Sequence, residues 1–90
     1  MAPGELEGVL LEHTGIAEAC VVGVPHERAG EMPKAFVVRA EGAEDVTAEE
    51  VRAHLAARLS PFKVPEEVVF LDSIPKSASG KMLRRMLLEA

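Results

Sequence analysis

The chain reads ACVVGV from Ala19 to Val24, and this stretch determines how the rest of the sequence is interpreted. It is a short run of small and β-branched apolar residues, which predicts a buried strand that stops at Pro25. A second run, KAFVVR from Lys34 to Arg39, predicts a second strand with polar residues at both ends. The nine residues between them, 25–33, are long for a hairpin loop, and such loops are often functional or partly structured.

Helical patterns lie on both sides of these strands. Residues 5–12 carry apolar side chains at helical spacing with acidic residues in the first turn, and Gly15 suits a helix stop. Thr47 and Glu50 have the spacing of a capping box, in which the hydroxyl accepts a backbone amide and the carboxylate reaches back. Apolar residues then recur on one face of this second helix, at Val51, Leu55 and Leu59.

A third apolar run at 68–71 and a helical pattern at 81–89 complete the predicted order α-β-β-α-β-α. This is an α+β domain with a small three-stranded sheet and flanking helices. Because a helix crosses between the second and third strands, we expect those two strands to be parallel. We expect the first strand to be central in the sheet, because 19–24 is the most apolar of the three runs.

Length and composition describe a single small domain of ordinary globular type, with 90 residues, 48% hydrophobic and 28% charged. No apolar run approaches the roughly 20 residues of a membrane span, and residues 1–5 lack the features of a signal peptide. Cys20 is the only cysteine, so no intrachain disulfide is possible. We expect a cytoplasmic protein in which Cys20 packs in the core.

Charge is distributed unevenly along the chain. The net charge is −5, but residues 1–59 carry five basic and eleven acidic residues, a net of −6. Residues 73–86 carry four basic residues and no acid, a net of +4. The acidic body and the 3% aromatic content argue against a nucleic-acid binder.

The basic end reads PKSASGKMLRR from Pro75 to Arg85 and contains the candidate site. Serines and a glycine in a non-periodic stretch permit close approach to a ligand, and a lysine at a helix start suits a phosphate or carboxylate. On residue type alone, a solvated basic loop explains the segment as well. The candidate residues are Lys76, Ser79, Gly80, Lys81 and Arg84.

A Walker A loop is the obvious alternative for Gly80 and Lys81, but the pattern fails at two positions. Pro75 stands where that motif has its first glycine, and Met82 stands where it has the Ser or Thr that binds magnesium.

The segment IPKSASGKMLRR, from Ile74 to Arg85, resembles the terminal motif of the adenylate-forming superfamily, which includes acyl- and aryl-CoA ligases, nonribosomal adenylation domains and beetle luciferases. Upstream segments resemble the same superfamily with the spacing intact: PGELE at 3–7, VVGVPHERAGE at 21–31, KAFVV at 34–38 and PFKVP at 61–65. The chain is thus similar over nearly its whole length to the C-terminal domain of these enzymes. It resembles most the fatty-acyl-CoA and coumarate-CoA-ligase-like branch.

The resemblance implies that residues 1–90 are a lid domain that works with a large N-terminal domain and a hinge, both absent from these residues. It implies a reaction that uses ATP, CoA and Mg²⁺ and turns a carboxylic acid into an acyl-adenylate and then a thioester. Lys81 matches the lysine placed against the carboxylate and α-phosphate in the first step, after which the lid rotates. The isolated 90 residues are expected to be inactive.

A binding role is the alternative of another class. The +4 end could belong to a stand-alone interaction module that binds an acidic partner or the phosphates of CoA without catalysis. His13, His26 and His54 lack metal-ligand spacing, so we expect no metal site there. Lys63 could face the large domain or the solvent, and Arg84 and Arg85 could contact phosphate or form salt bridges. Glu5 and Glu7 are interpreted as helix-start charges.

Overall fold

The computed structural model describes residues 3–27, 30–59 and 64–74. Its elements are helix α1, strands β1 and β2, helix α2 and strand β3, which span Pro3–Leu11, Ile16–His26, Gly30–Arg39, Ala48–Ala56 and Glu67–Phe70. The predicted α+β class and the order of these five elements are confirmed. The helix predicted at 81–89 lies outside the described residues.

The three strands form one mixed sheet in the order β1-β2-β3. β1 and β2 are antiparallel, whereas β2 and β3 are parallel, as expected for two strands joined through α2. The expectation that β1 is central is wrong, because β2 pairs on both sides and β1 lies at an edge. The apolar content of a strand indicates whether both of its faces are buried, not whether it has a neighbour on each side. Both β1 and β2 are covered on both faces.

The prediction of a long loop at 25–33 is wrong. β1 and β2 continue through most of these residues and pair as a hairpin. Val24 pairs with Met32, and the ladder closes at His26 opposite Gly30. Gly30 has a φ of 76°, in the left-handed region that tight hairpin loops use. The connection between the strands is therefore only residues 27–29.

Two prolines within the hairpin are accommodated by its register. The amide of Val21 points away from β2, because it donates to a side chain of α1. The backbones of Gly23 and Pro25, two and four residues further along β1, have the same orientation. At Pro25, β1 therefore needs no amide to hydrogen-bond to β2. Pro33 pairs with Gly23 and directs its nitrogen away from β1, one residue before the β3 pairing starts at Lys34. Neither proline removes a hydrogen bond that holds these strands together.

The sheet has an apolar cluster on each face. The larger one joins it to both helices and includes Leu6, Leu10, Ile16, Ala19, Val21, Ala35, Val37, Val46, Val51 and Leu55. The smaller one, on the opposite face, is made of Cys20, Val22, Phe36 and Ile74. The expected burial of Cys20 is confirmed, since its side chain is fully inaccessible. At 0.8 kcal/mol per buried methylene group, roughly, these two clusters are the main source of stability.

Helix α2 starts where the sequence predicts. Thr47 is its N-cap, and the Thr47 hydroxyl accepts the amide of Glu50 at 3.1 Å. The Glu50 carboxylate, expected to reach back along the helix, instead accepts from His13 Nε2 at 2.7 Å. One half of the capping box is thus used locally, and the other half ties α2 to the segment after α1.

Candidate functional site

The sequence-predicted site residues lie outside the described part of the chain: Lys76, Ser79, Gly80, Lys81 and Arg84. The same holds for Lys63 and Arg85. What the structure describes is the platform from which the candidate segment starts, up to Ile74.

This platform is firmly anchored. After β3 the amide of Leu71 donates to the carbonyl of Val37 at 2.9 Å, which continues the pairing with β2 by one residue. Ile74 is 3% exposed and packs in the smaller cluster, where Phe36 is among its companions. The chain therefore enters the basic segment from a fixed point one residue before Pro75.

An open depression of about 250 Å³ lies at the carboxyl ends of the parallel strands β2 and β3. Its lining comprises Val38, Arg39, Ala40, Glu41, Glu44, Leu71 and Asp72. Three of these side chains are acidic and one is basic. Ligand pockets usually have volumes of roughly 300 to 1,000 Å³, so this depression is small. Its small volume and acidic walls do not suit a nucleoside triphosphate.

Arg39, the one cation in that lining, is held by two contacts. Its guanidinium carbon lies 3.6 Å from the centre of the Phe70 ring, and its Nε donates to the carbonyl of Val46 at 2.9 Å. A guanidinium stacked on an aromatic face and bonded to the backbone is fixed in orientation. Arg39 therefore joins the ends of β2 and β3 to the segment that leads into α2.

Two histidines connect α1 to α2. His13 Nδ1 accepts the Gly15 amide at 2.9 Å, so its Nε2 carries the proton that is donated to Glu50. The His54 ring lies 5.2 Å from that of His13 and donates from Nε2 to the carbonyl of Val9 at 2.7 Å. Each imidazole is thus engaged in holding helices together. Within the described residues no three His, Cys, Asp or Glu side chains are placed to hold a metal ion.

Lys34 is the one lysine within the described residues. Its Nζ lies 3.7 Å from Glu67 Oε2 and 5.2 Å from the centre of the Phe36 ring. An ion pair between the first paired residues of β2 and β3, with one partner exposed, contributes little to stability. Lys34 therefore links β2 to β3 at the start of their pairing.

The interpretation of Glu7 as a helix-start charge is wrong. Glu7 is 8% exposed, and its Oε2 accepts the amide of Val21 at 2.8 Å in a buried hydrogen bond. A signal was present in the sequence, because Glu7 lies three residues before Leu10 and so shares the buried face of α1. The sequence interpretation relied instead on the acidic residues near the start of the helix.

The fold defines a class: a small α+β domain whose sequence continues from β3 into a basic segment. The family comparison makes this specific. The chain belongs to the AMP-binding enzyme C-terminal domain family, whose model matches residues 5–81.

Individual relatives agree with this assignment. A 4-coumarate–CoA ligase-like 5 protein from Oryza sativa subsp. japonica is 46% identical over 87 residues, which is 97% of the chain and 16% of that protein. The acyl-CoA ligase lcsD from Purpureocillium lilacinum is 45% identical over 93 residues, 99% of the chain and 24% of that protein. The crystal structure of ATP-bound MatB from Rhodopseudomonas palustris matches 99% of the chain with a TM-score of 0.91 at 35% identity.

The chain spans only about a sixth to a quarter of the length of these relatives, 16%, 24% and 18% respectively. The two described helices are nine residues each, and within the described ranges no helix is long and apolar enough to cross a membrane.

Proposed function

We propose that this chain is the C-terminal lid domain of an AMP-forming carboxylic acid–CoA ligase and works with a large N-terminal domain of the same enzyme. The family match carries the proposal, because it runs over residues 5–81 and therefore includes Lys81. The likeness of 99% of the chain to ATP-bound MatB supports it further. Residues 1–90 are one functional unit in this proposal, and they are inactive alone.

Lys81 is the proposed catalytic residue of the first half-reaction. Its ammonium lies between the substrate carboxylate and the α-phosphate oxygens of ATP, and it offsets negative charge as the two anions approach and pyrophosphate leaves. Losing one such preorganised contact typically lowers the rate by about 10² to 10³. Lys76, Ser79, Gly80 and Arg84 form the loop around the nucleotide, where the glycine permits close backbone approach and the cations favour phosphate.

The second half-reaction is thioester formation with CoA, and the lid rotates between the two steps. Closure of such a domain expels water and completes a site that neither domain holds alone. Mg²⁺, which neutralises phosphate charge, is assigned to the large domain.

For the substrate we propose an aryl or fatty acid, with CoA as the acceptor. The names of the two relatives above, a coumarate–CoA ligase-like protein and an acyl-CoA ligase, support this range. The name of a third, a fatty acid–[acyl-carrier-protein] ligase from Streptomyces coeruleorubidus at 47% identity, keeps fatty acids within it. We also propose a cytoplasmic enzyme, consistent with a chain whose single cysteine, Cys20, cannot form an intrachain disulfide.

The test is Lys81→Ala in the full-length ligase that contains this chain, assayed with an acid selected from a panel of fatty acids and hydroxycinnamates. Pyrophosphate release without CoA reports adenylation, and thioester formation from supplied acyl-adenylate reports the second step. We expect adenylation to fall by about 10² to 10³ and thioester formation to stay within a few-fold of the unmodified enzyme.

Lys34→Ala is the matched control, since it removes a lysine that pairs with Glu67 on the sheet. It should leave both half-reactions near their original rates. Equal loss of both half-reactions in Lys81→Ala would contradict the role of Lys81. An unmodified enzyme that releases no pyrophosphate with any acid of the panel would contradict the ligase function itself.

A further inference from the structure

Glu7 is a buried carboxylate that the proposed chemistry does not use. It lies in the middle of α1, and its Oε2 accepts the amide of Val21 at 2.8 Å. Val21 lies on β1, the edge strand of the sheet, and this amide points away from β2. The carboxylate of α1 thus occupies a hydrogen-bonding position that another strand would take if the sheet continued.

The Val21 amide depends on this hydrogen bond, because a buried backbone amide that loses its acceptor carries the full cost of its desolvation. The contact therefore favours docking of α1 against β1 over separation of the two elements. The geometry is also demanding, because a hydrogen bond to a charged group weakens steeply with distance and angle. The Glu7–Val21 hydrogen bond therefore fixes the distance between the middle of α1 and β1, and together with the His54–Val9 contact it restricts the tilt of α1.

Helix α1 needs such fixing, because nine residues are too few for a helix to be stable by itself. Leu6 and Leu10 bury the apolar side of α1 in the larger cluster. These non-directional contacts set how closely α1 approaches the sheet but do not fix its position along the sheet. His54 donates to the carbonyl of Val9 near the end of the helix. Glu7 and His54 together are directional contacts near the middle and the end of α1.

We infer that Glu7 is a positioning residue that makes α1 and the sheet turn as one body during the lid rotation, an inference that rests on the proposed function. Helix α1 is the first element of the chain, and the sheet leads through β3 and Ile74 to the Lys81 segment. A tilt of α1 against β1 would absorb part of any rotation that the preceding chain imposes. With the contact intact, the rotation reaches Lys81 undiminished.

Adenylation is the more sensitive step. It requires the Lys81 ammonium to reach two anions at hydrogen-bond distance, and a misplacement of about 1 Å by a remote change can lower a rate by about 10². Thioester formation does not use Lys81 in the proposed scheme. Loosening α1 should therefore change the ratio of the two half-reactions, whereas loss of folded protein would lower both equally.

The test uses three variants of the full-length enzyme. Glu7→Asp keeps the charge and shortens the side chain, so the contact to Val21 is lost. Glu7→Gln keeps the length and an accepting oxygen. Glu12→Gln is the matched control, since Glu12 is an exposed acid just after α1.

We expect Glu7→Asp to lower the adenylation kcat by about 10- to 100-fold with KM for ATP near its original value, and to lower thioester formation much less. Hydrogen exchange of the Val21 amide should become faster in this variant. Glu7→Gln should retain slow exchange and the original ratio of half-reactions, as should Glu12→Gln. The unmodified enzyme must show both half-reactions before the variants are compared. If it shows neither, the proposed function fails, whereas this inference is tested only by the ratio of the two rates in the variants.

An unchanged ratio in a folded Glu7→Asp enzyme would overturn the inference, as would parallel losses of both half-reactions that recover together on cooling. If Glu7→Asp does not fold, His54→Ala decides, because it removes the contact to Val9 without leaving a buried charge. A shift of the ratio against adenylation in His54→Ala supports the coupling of α1 to the sheet. A wild-type ratio in that variant overturns it.

Discussion

Gly15 lies where the chain passes from α1 into β1, and close packing rather than backbone conformation requires a glycine there. A Cβ placed on it would lie 2.7 Å from Cγ2 of Val46 and 3.0 Å from Cε1 of His13. Val46 is 5% exposed, and the His13 ring is held by hydrogen bonds at both nitrogens. Neither neighbour can retreat without breaking a contact that joins α1, β1 and α2.

Gly15→Ala is therefore expected to lower the free energy of unfolding by about 1 to 3 kcal/mol, the usual range for overpacking. Gly23→Ala is the matched control, since its Cβ would meet the carboxyl end of Glu31, which is exposed and free to swing aside. We expect a change within about 0.5 kcal/mol for that variant. Urea unfolding of both variants measures the difference, and equal losses would contradict the packing argument.

At the scale of elements, local signals were sufficient where short-range chemistry sets the structure. The spacing of Thr47 and Glu50 located the start of α2, and the apolar positions after it identified the buried face that contains Val51 and Leu55. The crossover through α2 was enough to predict parallel pairing of β2 and β3. Each of these predictions depends on residues near each other in sequence or on a chain-connectivity rule.

Other features depend on contacts between distant residues, and the sequence did not reveal them. The position of β1 at the sheet edge is possible because α1 covers it and Glu7 accepts its outward amide. The hairpin extends through Pro25 and Pro33 because their nitrogens point away from the ladder, which depends on register. For the candidate site, the residues came from a motif, and their geometry lies outside the described part of the chain.

Thr47→Ala should lower the free energy of unfolding by about 1 kcal/mol, since it leaves the Glu50 amide without its side-chain acceptor. Thr47→Ser keeps a hydroxyl and should be nearly neutral. Thr14→Ala, at an exposed threonine between α1 and β1, is the control and should change stability little. Thermal unfolding of the three variants tests this, and a Thr14→Ala loss as large as that of Thr47→Ala would argue against the cap.

At the scale of the whole molecule, the distribution of charge supports the proposed lid role. Residues 1–59 carry a net charge of −6, and the depression between the ends of β2 and β3 adds acidic walls rather than an anion site. The net +4 of residues 73–86 stands against this background at one end of the chain. A basic segment on an acidic body favours presenting its cations to an anionic ligand that another domain holds.

The 90-residue chain alone is therefore predicted not to convert ATP, even with an acid and CoA present. The depression at the ends of β2 and β3 has a volume below that of ligand pockets and acidic walls, and the net charge of −5 repels a triphosphate at long range. The measurement is pyrophosphate release by the purified chain, compared with the same chain joined to the large domain. Turnover only in the joined protein is the expected result. Release by the isolated chain that Lys81→Ala abolishes would mean that these residues contain a complete site, contrary to the lid assignment.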